Sequence, residues 1–181
     1  MKTIGAMIFT GLLSACTFGR LTNDAPYPSP HEAYFVMGVT GEDSQIGIYD
    51  GSVADGIFKV STATYIGKPA GGFIVGKVPP DRPLAIVHYS LNHSKKENLK
   101  HAAACDGVRT MVFTVPAGKV TYVGDVILKS VGKKIAVTTS FNPAPARRYV
   151  DEHFAALRGR TEVGSYTTLP TNQSCISATY R

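Results

Sequence analysis

Between residues 33 and 141 apolar and polar positions alternate in short bursts, and the bursts are rich in Val, Ile, Tyr, Phe and Thr. Alternation over a few residues marks a strand with one buried face. The pattern predicts eight strands, over 33–40, 45–49, 57–61, 72–78, 84–91, 109–115, 119–129 and 134–141. Turn chemistry separates them, at Asp50-Gly51, Asp55-Gly56, Pro79-Pro80-Asp81, Asp106-Gly107, Pro116-Ala117-Gly118 and Val131-Gly132. Segment 84–91 is the least polar and is placed centrally in a sheet. Strict alternation puts Leu84, Ile86 and His88 on one of its faces and Ala85, Val87 and Tyr89 on the other. Gly124, inside the longest run, predicts a bulge or a close backbone approach.

Helical spacing is convincing over 144–159. Val150, Phe154 and Leu157 fall on one stripe extended by Ala146, with Pro143 and Pro145 at the start and Gly159 at the end. Arg147–Asp151 and Arg148–Glu152 are spaced as i,i+4 pairs. The polar, Lys-rich excursion 92–104 has room for a second short helix, and the tail 161–181 has little of its own to hold it. Short strands with frequent turns and one late helix predict a mainly β fold, an antiparallel β-sandwich. A lipocalin-like β-barrel is the main alternative, and an open sheet under the helix comes next.

The first residues follow a different rule. Lys2 precedes an apolar and small-residue run over 4–13, and Leu13-Ser14-Ala15-Cys16 follows. That order describes a secretory signal, too short to span a bilayer as a helix. The Leu-Ser-Ala-Cys ending resembles the lipobox of bacterial lipoproteins. The resemblance implies cleavage before a diacylated Cys16, so that 1–15 is a signal peptide and 16–32 a lipid-anchored, flexible tether. It leaves 33–181 as the folded domain. Thr17, in place of Asp, resembles the outer-membrane class, with the domain facing the periplasm. Two or three acyl chains anchor stably because each buried methylene contributes about 0.8 kcal/mol. Pro26, Pro28 and Pro30 keep helix and ladder out of the tether. Extended, it would hold the domain about 30–45 Å from the membrane.

Composition narrows the chemistry. The chain has 181 residues, 44% hydrophobic and 18% charged, which fits one domain with a real core and excludes a disordered polyelectrolyte. With Cys16 acylated, Cys105 and Cys175 remain as an even pair, which in an exported domain predicts a disulfide. Closing that loop would stabilise by about 4 kcal/mol on the chain-entropy account. The alternative is a pair of free thiols. His88, His93, His101 and Cys105 lie close in sequence, but no spacing places two ligands on one element, so no metal site is expected. The run Gly71-Gly72-Phe73-Ile74-Val75-Gly76-Lys77-Val78 nearly spells a phosphate loop. It has Val78 where a Ser or Thr would hold magnesium, and it reads as a strand. No nucleophile elbow or zinc-protease motif occurs, and the expectation is a non-enzymatic protein without cofactor.

The net charge of +6 concentrates at Lys95, Lys96 and Lys100, at Lys133 and Lys134, and at Arg147, Arg148, Arg158 and Arg160. In an envelope compartment the anions on offer are lipid head groups and cell-wall carboxylates rather than nucleic acid. The segment Pro116-Ala117-Gly118-Lys119-Val120-Thr121-Tyr122-Val123-Gly124-Asp125 is similar to segments of uncharacterised β-rich lipoproteins of proteobacterial envelopes, some with transthyretin-like sandwiches. The expected function is that of an outer-membrane-anchored accessory, structural or protein-interaction component of the envelope. The alternative is a module that binds a lipid, glycan or small hydrophobe.

Overall fold

The alternating segments assemble into two facing sheets in the computed structural model, which describes residues 19–91, 100–132 and 134–175. In chain order the strands are β1 (Ala33–Thr40), β2 (Ser44–Ala54), β3 (Ile57–Gly67), β4 (Phe73–Val78), β5 (Leu84–Leu91), β6 (Lys100–Ala103), β7 (Arg109–Phe113), β8 (Lys119–Val131) and β9 (Lys134–Ser140). A helix, α1 (Pro143–His153), and a 3-10 turn (Ala155–Leu157) precede β10 (Thr161–Val163) and β11 (Tyr166–Pro170). One sheet runs β10-β8-β1-β4, with β9 also on β8. The other runs β11-β7-β5-β2-β3, with β6 also on β5. This is a β-sandwich and neither sheet closes into a barrel. It is mixed rather than wholly antiparallel, because β1 and β10 both pair with β8 in parallel.

The burial pattern explains the layering. β1 is buried from Ala33 to Val39, so both of its faces are covered. Phe35, Met37 and Val39 meet Ile46, Ile48, Tyr65, Leu84, Ile86, Met111 and Phe113 between the sheets. Tyr34 and Val36 point the other way, under the helix layer of Ala146, Tyr149, Val150, Phe154 and Leu157. A third cluster, of Phe58, Ala85, Val87 and Val112, covers the outer face of the second sheet. There the chain at Thr171 bridges back to Phe58.

Several expectations are corrected. Helix α1 ends at His153, because Phe154 leaves helical geometry (φ −128°, ψ 90°) and sinks its ring, fully buried, into the helix–sheet layer. The two i,i+4 ion pairs do not form among the described residues; Asp151 instead accepts the Gly159 N–H at 2.8 Å and its carbonyl takes Arg158 Nε at 3.0 Å. Residues 100–103 are the strand β6, not helix, while 92–99 lie outside the described residues. Asp50-Gly51 sits inside β2 at a register shift rather than in a turn. Gly51 there lies against the Lys59 carbonyl and the Phe58 ring, which a side chain would strike. The tail is held by two ladders, β10 on β8 and β11 on β7.

The expected tether is docked over its described part. Arg20 bridges Gly76 on the outer edge of β4, and Leu21 N–H donates to the Val75 carbonyl at 2.9 Å. Leu21 and Tyr27 pack into the helix–sheet layer, Ala25 and Pro28 are buried, and the Arg160 guanidinium lies 4.8 Å over the Tyr27 ring. The prolines keep helix and ladder out of 21–31, as expected, yet they lay the segment on the domain instead of freeing it. Glu32 closes the segment. Its carboxylate takes Lys77 Nζ and the Ser29 N–H, and these donors hold it down at about 2.

Candidate functional site

Cys16, the expected lipid attachment point, lies outside the described residues, as do His93, Lys95, Lys96 and Lys133. The other expected residues sort into three regions.

The first is the β5–β6–β7 corner. Asp106 (φ 49°) and Gly107 (φ 78°) form the turn into β7, where Val108 N–H returns to the Cys105 carbonyl at 3.0 Å. Cys175 sits over this turn at disulfide distance from Cys105, with Cα atoms 5.1 Å apart, inside the range a disulfide requires. Asp106 N–H donates to the Gln173 carbonyl at 2.7 Å, the Cys175 N–H to Asp106 Oδ1 at 3.1 Å, and Thr171 Oγ1 to the Ala104 carbonyl at 2.6 Å. The sulfurs and the Asp106 carboxylate are close enough to share a metal ion, and the two sulfurs stand close enough to pair with each other instead.

The same corner brings two expected histidines together. The β2–β5 ladder matches Gly47 with His88 and Ile48 with Ile86, which leaves Val87 as an extra residue on β5. A bulge shifts alternation by one. Tyr89 and Leu91 therefore join Leu84 and Ile86 between the sheets, and His88 turns with Val87 to the outer face, contrary to strict alternation. There His88 Cβ lies where a side chain on Gly47 would be, beside the Tyr49 ring. β6 lies antiparallel to β5 with Ser90 opposite His101, so His101 is the diagonal neighbour of His88. Their rings are 5.4 Å apart, and His101 Nδ1 stands 3.4 Å from His88 Nε2. Desolvation lowers the His88 pKa, and the neighbouring His101 lowers it further.

The second region is the outer face of α1. Arg147, Arg148 and Arg158 border a broad open depression together with Asp151 and Glu152, so the expected basic patch is a mixed-charge surface. Arg160 is turned away onto Tyr27. Lys134 opens β9, at the end of that strand away from α1.

The third region is the β8–β9 hairpin. Gly124 (φ 127°) is the expected bulge: the β1–β8 register shifts there, and a side chain would strike Met111 Cε at 2.8 Å and the Tyr166 ring at 3.0 Å. Asp125 follows. Its Oδ2 accepts from Ser140 Oγ and from the Asn142 N–H, each at 3.2 Å, tying the end of β9 and the start of α1 to β8. Tyr122 OH accepts the same Asn142 N–H at 2.9 Å; burial and the Asp125 carboxylate push its phenol up. Beyond this anchor β9 is an edge strand paired with β8 alone among the described residues, and Val131, Val137 and Phe141 of the hairpin and its exit are exposed. The other long edges are partly covered, β4 by Arg20 and Leu21 and β3 by Thr171 and Asn172.

The near phosphate loop is β4, entered by a turn in which Ala70 and Phe73 exchange backbone hydrogen bonds, so its amides are spent on the ladder. Sequence reasoning missed that β9 pairs with β8 alone among the described residues, and it missed the Asp125 anchor and the His88–His101 pairing. The alternation of 134–141 signalled the first, and the other two depend on register. The chain matches no family model, no curated protein and no solved structure.

Proposed function

We propose that the chain is a lipoprotein anchored in the outer membrane through Cys16, and that its periplasmic β-sandwich is a non-enzymatic interaction component of the cell envelope. Its location rests on the Leu13-Ser14-Ala15-Cys16 segment. The observation that carries the interaction role is the β9 edge. Among the described residues it pairs with β8 alone, so the alternate backbone donors and acceptors that point away from β8 are open to a partner strand beside exposed Val131, Val137 and Phe141, while the β4 and β3 edges are partly covered. An exposed edge accepts a strand from a partner, whose backbone supplies affinity and whose alternate side chains supply specificity. The alternative of a bound lipid, glycan or hydrophobe between the sheets gains no comparable support. That space is filled by Phe35, Met37, Ile46, Ile48, Tyr65 and Phe113, and the depressions lie on the surface.

In-cell crosslinking followed by affinity purification tests both halves of the reading. Wild type should recover one envelope protein in stoichiometric amount. Cys16→Ser should lose it with loss of membrane fractionation, and Val137→Lys should lose it while the protein stays in the membrane. Recovery of the domain alone from wild-type cells would overturn the interaction role. Full membrane retention of Cys16→Ser would overturn the anchor.

A further inference from the structure

We infer that His88 and His101 form a two-imidazole chelate for a divalent transition metal ion, zinc or copper in class, on the outer face of the β5–β6 corner. Two nitrogens bound to one tetrahedral ion at about 2.0–2.1 Å stand roughly 3.3–3.4 Å apart by simple trigonometry. His101 Nδ1 and His88 Nε2 stand 3.4 Å apart. The two nitrogens already face each other across this gap, so one ion could take the place of the weak hydrogen bond between them. Both nitrogens come from paired strands. The β5–β6 ladder holds their backbones in register from His88 opposite Ala103 to Leu91 opposite Lys100.

The bulge at Val87 is what creates the pair. Without the extra residue His88 would point between the sheets and His101 would face a different side chain. The fold thus spends an irregularity in a central strand on turning an imidazole outward. Metal binding needs the neutral ring. Burial and the neighbouring imidazole keep His88 in that form to lower pH than a free histidine. In the oxidised protein the two cysteines of this corner, which stand at disulfide distance, offer no thiolate, so imidazole and not sulfur sets the preference. Among divalent ions copper should then bind more tightly than nickel or zinc.

The experiment is titration of the purified, oxidised full-length protein with Zn²⁺ alone, and separately with Cu²⁺, followed by calorimetry and thermal unfolding. One ion per chain is expected, with a rise in Tm that scales with free metal. His88→Gln and His101→Gln should each weaken binding at least tenfold, and the double variant should add little to either single one. Each variant should melt like wild type in chelator, which separates lost binding from lost folding. His153→Gln should bind as wild type, because His153 Nδ1 is engaged with the Tyr149 carbonyl on α1. Absence of binding at millimolar metal would overturn the inference. So would binding that survives both His88→Gln and His101→Gln, or that His93→Gln abolishes while the other two leave it intact.

Discussion

Gly38 and Asp125 form the most exposing test of how the sandwich holds its helix. Gly38 is buried on β1 directly opposite Asp125 of β8. A Cβ at Gly38 would press on Asp125 Oδ1, with Cγ at 3.0 Å and Cβ at 3.3 Å, so turning the carboxylate about its last bond does not relieve the contact. The whole side chain has to leave, and its bonds to Ser140 Oγ and the Asn142 N–H go with it. Hydrogen bonds to a charged group contribute about 1.5–3 kcal/mol each, less where water competes, as it does here. Two such losses, offset by about 0.5–1 kcal/mol from replacing a strand glycine with alanine, predict that Gly38→Ala costs about 2–3 kcal/mol. Asp125→Ala should cost a similar amount. The double-mutant cycle isolates the cause. In the Asp125→Ala background only the 3.3 Å contact with Cβ remains, so Gly38→Ala should cost about 1 kcal/mol or less, a coupling of about 2 kcal/mol by urea unfolding. Equal cost in both backgrounds would refute the mechanism.

Other expectations follow from the same packing. Phe154→Ala removes a fully buried ring from the layer between α1 and the first sheet and should destabilise by about 3–5 kcal/mol in chemical denaturation. Non-reducing gels should show a faster form lost on reduction. Replacing Cys105 and Cys175 together by Ser should cost up to about 4 kcal/mol, and titration of two free thiols in the folded protein would exclude the bond. Glu32 is held at about 2, below its ordinary 4.5, by Lys77 and then by Ser29, so its contribution is complete above pH 4.5 and is lost as the pH falls toward 2. Amide shifts of residues 21–31 by NMR should therefore report undocking across that window, and Glu32→Gln should abolish the pH dependence.

Local chemistry made much of this legible. The inward residues of β1, the β2–β3 hairpin at Asp55-Gly56 and the bulge at Gly124 each follow from residue types within a few positions. What was hidden depends on partners distant in the chain. β10 and β11 carry few apolar residues and exist because β8 and β7 offer them edges. β2 and β3 run on past their expected ends, β2 through Ser52 and Val53 and β3 through Ala63, Tyr65 and Ile66, since a hairpin continues while its two arms can pair. The parallel match of β1 with β8 joins segments nearly ninety residues apart, and periodicity carries no direction. The bulge at Val87 is the sharpest case. One unmatched residue reversed the faces of the rest of β5 and brought His88 to His101, and no feature of Ile86-Val87-His88 announces it.

The docked amino-terminal segment sets a leash. Arg20 is fixed on the edge of β4 and reaches the helix layer through Tyr149 OH at 3.4 Å. Four residues of travel separate it from Cys16, about 14 Å when fully stretched. An acyl anchor on Cys16 would then moor the domain with the β4 side toward the lipid and allow it little room to roll. It would patrol the surface of the leaflet and could not reach across the periplasm, so a strand that met β9 would have to come down to the membrane to do so.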